Sequence, residues 1–168
     1  MNRVGVPWIC LALLSCASAP ATQSSSDKSS PEKFQARLDA ANEVPPPTLS
    51  GTSPSGTATF TSEGNSLTYK VSVSGLSSAY TAAHIHTGAP GVAGPVIVPL
   101  ALTAGSSEGT ASGEGTIDAS GIKGKNADGS PLSMTDLLTA MRSGSTYVNV
   151  HTTNNKAGEA RGQIQAGG

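Results

Sequence analysis

The sequence predicts an all-β fold: a single sandwich or barrel with one short helix. Short runs of alternating apolar and polar residues recur along the chain, and Gly, Pro, Ser and Asn separate them. One segment alone has its apolar residues at helical spacing. The predicted domain spans residues 34–165, a length that buries roughly two-thirds of the unfolded surface.

The first strands follow directly from this alternation. FQARLDA, from Phe34, predicts a strand that EVPPP at residues 43–47 ends, because proline donates no ladder hydrogen bond. SGTATFTS and NSLTYKVSVSGL predict a hairpin that turns near residues 63–65. One face of its second strand carries four large side chains: Leu67, Tyr69, Val71 and Val73.

Later elements alternate in the same way, apart from the helix. AAHIHT, VIVPLAL, GTASGEGTID, TYVNVHT and EARGQIQ predict strands, and a Gly/Pro loop covers residues 88–95. A short helix is predicted near residues 133–142, with Ser133 as its cap, Asp136 three residues on and Gly144 near its end. Its apolar residues lie at helical spacing: Met134, Leu137, Leu138 and Met141.

The first fifteen residues have the form of a secretory signal, since the apolar run is too short to span a bilayer. Leu13-Leu14-Ser15-Cys16 resembles the lipobox of bacterial lipoproteins, which implies that Cys16 becomes the lipid-bearing first residue. The alternative is an ordinary signal peptide cleaved after ASA at residues 17–19. Residues 16–33, rich in Ser, Ala and Pro, are predicted to form a flexible tether, and residues 166–168 a tail.

The lipoprotein interpretation predicts attachment to a membrane through the lipid and a place in the cell envelope. Ala17 follows the cysteine where enteric lipoproteins kept in the inner membrane have Asp, so analogy favours the outer membrane, on either its periplasmic or its surface side. Cys10 lies in the signal and Cys16 would carry lipid. No cysteine therefore remains for a disulfide in the domain.

Composition and motifs limit the function. The net charge is -1 and aromatic residues make up 4%, which argues against a nucleic-acid partner. No phosphate-cradling G-x-x-x-x-G-K-[ST] motif occurs, and the Gly-rich GAPGVAG precedes a strand rather than a helix. These observations leave enzymatic activity undecided and favour a non-enzyme.

Three histidines are the strongest functional signal. Residues two apart on a strand share a face, so His84 and His86 point together, away from Ile85. By the same parity, His151 shares a face with Asn149, opposite the apolar valines of TYVNVHT. If the two strands are neighbours, the three imidazoles converge on one point and can hold copper or zinc with a fourth position open.

The alternative is structural: the histidines would hydrogen-bond the carbonyls of residues 88–94. The thioethers of Met134 and Met141 could also bind copper, but their helical spacing favours core packing. Glu159 and Arg161 are two residues apart in GEARGQI. They are interpreted as structural residues, either a surface charge pair or a buried arginine that ties loop carbonyls.

FQARLDAANEVPPP, AAHIHTGAPGVAGPVIVPL, TYVNVHT and GEARGQI, in this order, resemble the signature blocks of the CHRD domain family. The resemblance implies an immunoglobulin-like or barrel β-domain and says little about activity. Ala160 departs from the Ile or Val usual in the family, which weakens core packing there.

A weaker similarity links the three histidines to the copper site of copper-zinc superoxide dismutase, a second β-barrel family. The sequence offers no further histidine for a zinc site and no cysteine pair in the domain, which argues against ordinary dismutation.

Three functions therefore remain at this stage. The first is a lipid-anchored envelope protein that binds a transition metal ion, copper before zinc, through His84, His86 and His151. The second is an adhesion or scaffolding module whose histidines are structural. The third is an enzyme with one dismutase-like copper site. The sequence identifies neither a protein partner nor an oligomeric state.

Overall fold

The computed structural model describes Met1, residues 30–49 and residues 51–167. The predicted signal segment, Cys16 and most of the predicted tether lie outside the described residues. The strands are β1 (Glu32–Asp39), β2 (Ser55–Glu63), β3 (Ser66–Ser74), β4 (Tyr80–Thr87), β5 (Val96–Leu100), β6 (Thr103–Ala104), β7 (Ala111–Ile117), β8 (Thr146–Thr152), β9 (Ala160–Gln163) and β10 (Gln165–Ala166). The helix α1 spans Met134–Arg142. Among these described residues, no helix combines the length and the apolar character needed to cross a membrane.

All ten strands belong to one antiparallel sheet that curls into a half-barrel. The strand order is β5-β4-β8-β9-β1-β2-β3-β7-β6, and β10 pairs with β1 beside β9. The predicted all-β class with one short helix is confirmed. The curl brings the inner faces together around an apolar core to which every strand from β1 to β5, and also β7, β8 and β9, contributes.

The predicted hairpin is confirmed. Strands β2 and β3 pair from Ser55 opposite Ser74 to Glu63 opposite Ser66. Gly64 occupies the turn with a φ of 59°, a conformation that glycine adopts without steric cost. The end of the chain differs from the prediction, because EARGQIQ forms two short strands that are interrupted at the buried Ile164.

The helix is capped as predicted. The Ser133 hydroxyl accepts from the Asp136 backbone N–H, and the Asp136 carboxylate accepts from the Ser133 backbone N–H, which completes a capping box. Met134 and Met141 are 3% and 0% exposed and belong to the core. Core packing, rather than metal coordination, is therefore the role of both thioethers.

The strands β4 and β8 carry the three histidines, and β9 lies next to β8. β4 pairs with β8, with Ile85 opposite Val148, and β8 pairs with β9, with Val150 opposite Ala160. These four side chains are completely buried and close the core on the inner face. Alternation then puts His84, His86 and their cross-strand neighbours on the outer face of the same strands.

Candidate metal centre

The three histidines lie together on the outer face of β4 and β8. In the strand register, His84 is opposite Asn149 and His151 is opposite Ala82, so the three rings occupy adjacent positions. One nitrogen from each ring lies within 4.8 Å of the other two. His84 Nδ1 and His151 Nε2 are 3.0 Å apart. The structure therefore brings together all three histidines that the sequence analysis singled out.

Two backbone carbonyls orient the rings. His86 Nδ1 lies 2.8 Å from the Gly94 oxygen, and His151 Nδ1 lies 3.0 Å from the Lys156 oxygen. A carbonyl only accepts, so each Nδ1 carries the proton and each Nε2 has a lone pair, which in His151 faces His84 Nδ1. The Nε2 of His86 is buried and has no hydrogen-bond partner. Such carbonyl contacts fix the tautomer of metal-binding histidines in proteins.

The environment keeps the imidazoles neutral. Burial, together with the neighbouring His151 and His86, lowers the pKa of His84 to about 4. Burial also lowers the pKa of His86 and of His151, against the opposing effect of their carbonyl contacts. Neutral imidazole is the form that binds metal. Protons therefore compete with a metal ion for these imidazoles at a lower pH than the value near 6.5 expected for unperturbed histidine.

The rings face away from the apolar core, but His86 is only 8% exposed, because the loop of residues 88–95 covers it. The Tyr147 ring stacks on His86 with centroids 4.9 Å apart. The Tyr147 hydroxyl accepts from the Gly94 N–H at 3.1 Å. Tyr147 therefore supports both the His86 ring and the loop residue whose carbonyl orients it.

Arg161 and Gln163 attach the same loop to β9. The Arg161 guanidinium donates to the Ala89 and Val92 oxygens at 3.2 and 2.9 Å and lies over the Tyr147 ring, 3.5 Å from its centroid. Gln163 Nε2 donates to the Gly88 oxygen at 2.8 Å. Arg161 is 1% exposed. It is thus a buried arginine that ties loop carbonyls and not half of a surface charge pair.

Glu159 forms a separate network at the end of β8. Its carboxylate accepts from the backbone and hydroxyl of Ser77, from the Thr152 hydroxyl and from the Asn155 amide. Burial by itself raises the pKa of Glu159, but these hydrogen bonds outweigh it and hold the pKa below its usual value. Glu159 stabilises the turn that follows His151, which is a structural role.

Sequence reasoning did not single out three residues that build this site: Glu43, Tyr147 and Gln163. Tyr147 shares its parity with His151, so strand alternation indicated its face without indicating its contact with His86. Glu43 lies on the segment between β1 and β2. Only the folded chain brings it to Asn149, whose amide Nδ2 lies 3.3 Å from its carboxylate. No local sequence pattern predicts such a long-range contact.

Comparison with known proteins supports the resemblance noted in the sequence. A search of curated proteins finds no significant match. The family model of the CHRD domain matches residues 34–164, from within β1 to the residue before β10. This match covers most of the chain, including every histidine and the loop above them. The chain belongs to the CHRD domain family.

Proposed function

We propose that this CHRD domain binds one transition metal ion through His84 Nδ1, His86 Nε2 and His151 Nε2. The observation that carries the proposal is the convergence of three neutral imidazoles around the buried, unpartnered Nε2 of His86. Ligands on one ion at 2.0–2.1 Å lie about 3.4 Å apart in a tetrahedral arrangement. The nitrogens of His84 and His151 are 3.0 Å apart and all three ligand nitrogens lie within 4.8 Å of one another, so small ring movements suffice.

The donor set favours copper over zinc. Imidazole nitrogen suits both ions, and the affinity of a nitrogen site for divalent ions rises to its maximum at Cu²⁺. The cluster contains no carboxylate or thiolate in the described part of the chain. His84 and His151 are half-buried, which gives an ion access from solvent.

The competing interpretation is an adhesion or scaffolding module with purely structural histidines. The carbonyl contacts of His86 and His151 support it, since both hold loops. Those contacts use only Nδ1, however, and leave a buried Nε2 that a structural role does not require. Burial of a polar atom without a partner costs free energy, roughly 1–3 kcal/mol. A bound ion would supply the missing partner.

Calorimetric titration of the untagged protein with Cu(II) and with Zn(II) tests the proposal. We expect one ion per chain, Cu(II) binding tighter than Zn(II), and a loss of more than about 100-fold for His84→Ala and for His151→Ala, a larger loss than removal of an outer partner causes. Lys156→Ala is the matched control, because it removes an exposed side chain and keeps the carbonyl that orients His151.

Cu(II) binding that survives both histidine substitutions would reject the three-histidine site. Absence of binding by the wild-type protein would favour the structural interpretation. If copper does bind, the copper-loaded protein should remove superoxide no faster than free copper ions. A faster rate would support the dismutase-like enzyme instead.

The proposal includes attachment to the cell envelope, through lipid on Cys16, with the outer membrane favoured. Its support is the Leu13-Leu14-Ser15-Cys16 sequence and the absence of a competing cysteine in residues 17–168. Several acyl chains on one cysteine anchor durably, since each buried methylene contributes about 0.8 kcal/mol. Cells fed a labelled fatty acid should label the wild-type protein but not Cys16→Ser. Equal labelling of both, or of neither, would contradict it.

A further inference from the structure

Glu43 is a buried carboxyl group outside the histidine cluster. It is 3% exposed, although it lies on the connection between β1 and β2. Its Oε1 accepts from the Val44 N–H at 3.0 Å and from Asn149 Nδ2 at 3.3 Å. Its Oε2 is buried without a hydrogen-bond partner, and so is Asn149 Oδ1. Buried polar atoms normally have partners, so these two oxygens require an explanation.

The two unpartnered oxygens border the same small space beside Gly158. A Cβ atom at Gly158 would overlap both Glu43 Oε2 and Asn149 Oδ1. The amide orientation is set by Ala157, whose oxygen lies 3.4 Å from Asn149 Nδ2, because the reversed amide would place Oδ1 against this carbonyl. Oδ1 therefore needs a donor, and an ionised carboxylate offers none.

A single proton on Glu43 Oε2 gives both oxygens a partner. A protonated carboxyl can donate from Oε2 to Asn149 Oδ1 while Oε1 accepts from Asn149 Nδ2, so that the two groups would form a cyclic acid–amide pair. Burial raises the pKa of Glu43, and this effect exceeds the opposing effects of the Val44 N–H, the Arg161 charge and the Asn149 amide. The surroundings thus favour the protonated form.

One loop, which contains Lys156 and Ala157, connects this pair to the proposed metal site. Asn149 Nδ2 contacts the Ala157 oxygen, and the preceding carbonyl, of Lys156, accepts from His151 Nδ1. Gly158 follows with a φ of 140°, and its missing side chain lets the loop approach the pair. The Glu43–Asn149 pair therefore contacts the residue next to the carbonyl that lies against the His151 ring.

We propose that Glu43 is a positioning residue for His151: as a neutral carboxylic acid paired with the Asn149 amide, it fixes the loop whose carbonyl orients the ring. The inference rests on the proposed function for its effect on metal binding. The protonated Glu43–Asn149 pair and the fixed orientation of the His151 ring do not depend on a metal ion, so both can be measured in the metal-free protein.

The decisive comparison is Glu43→Gln against Glu43→Ala. Glutamine places an N–H donor where the acid has its O–H, so Glu43→Gln should preserve the pair, whereas Glu43→Ala removes it. In the metal-free protein, ¹⁵N NMR should show His151 protonated on Nδ1 alone in wild type and Glu43→Gln, and a mixture of tautomers in Glu43→Ala. Cu(II) affinity should fall about tenfold in Glu43→Ala, the lower range for loss of an outer partner, and change by less than about twofold in Glu43→Gln.

A wild-type tautomer pattern in Glu43→Ala would overturn the inference, and so would a Glu43→Gln protein as impaired as Glu43→Ala. If Glu43→Ala fails to fold, the wild-type protein provides the test: ¹³C NMR should find Glu43 still protonated at a pH where an unperturbed glutamate is ionised. An ionised Glu43 at that pH overturns the inference. Failure of the wild type to bind Cu(II) would reject the proposed function and leave these metal-free measurements to decide the acid–amide pair.

Discussion

The outer face of the sheet differs between its two halves. Across β2 and β3 it lies open to solvent, and on β3 the outward residues Thr68, Lys70 and Ser72 are all exposed. Across β8 it is covered, and the outward residues Tyr147 and Asn149 are only 2% and 3% exposed. Both halves show the same alternation in sequence, yet only one carries a second buried layer, which is polar.

This difference shows where substitutions of polar residues should matter. On the open half, water replaces a lost hydrogen bond, and a polar side chain contributes little to the free energy of unfolding. On the covered half, removal of a partner leaves buried carbonyls or amides unpaired, at a cost of about 1–3 kcal/mol each. The proposed metal ligands also lie on the covered half, so stability and site geometry depend on the same contacts there.

The largest decrease in the free energy of unfolding is expected for Arg161→Ala. It removes two charge-assisted hydrogen bonds to the loop of residues 88–95 and the contact with Tyr147, and should lower the free energy of unfolding by about 3 kcal/mol. Arg37→Ala, an exposed arginine on β1, is the matched control and should change it by less than about 0.5 kcal/mol. Urea unfolding measures both. Equal losses in the two variants would show that covered and open parts of the outer face do not differ in their contribution to stability.

A smaller loss of stability, about 2 kcal/mol at neutral pH, is expected for Glu159→Gln, because the amide keeps one acceptor oxygen and its NH2 group cannot accept the hydrogen bonds of the oxygen it replaces. The lowered pKa of Glu159 keeps it ionised in the folded protein where the unfolded chain takes up a proton. Its contribution is therefore present above about pH 4.5 and is lost as the pH falls through the folded-state pKa.

Urea unfolding as a function of pH checks this sign. The difference between wild type and Glu159→Gln should shrink as the pH falls below the usual glutamate value of 4.5. Glu63→Gln, an exposed position at the end of β2, is the matched control and should change the free energy of unfolding at neutral pH by less than about 0.5 kcal/mol. A difference that grows on acidification would contradict the assigned direction of the pKa shift.

The smallest effect is expected for Arg142→Ala. Arg142 at the end of α1 pairs with Glu32 on β1, and both side chains are substantially exposed, at 46% and 32%. Solvent and salt screen such a pair, so its removal should leave the midpoint of urea unfolding unchanged within error. A shift as large as that of Arg161→Ala would show that exposure does not separate the two kinds of arginine contact.

The sequence by itself determined the fold class, the β2–β3 hairpin, the capped helix and the shared face of His84 and His86. These features are local: alternation of period two, turn residues and caps act within a few positions along the chain. The sequence also indicated that His151 points to the same side of its strand as Asn149. It did not indicate the break at Ile164 that divides the last strand, since EARGQIQ alternates without interruption.

Only the tertiary structure decided that β4 and β8 are neighbours, and that a loop and the segment around Glu43 cover their outer face. Alternation cannot distinguish an outer face in water from one beneath loops, because both carry polar residues. Contacts such as Glu43 with Asn149 join residues far apart in the chain, and their partners depend on how the whole sheet curls. The three histidines meet for the same reason: strand pairing, which no local pattern encodes, places their rings side by side.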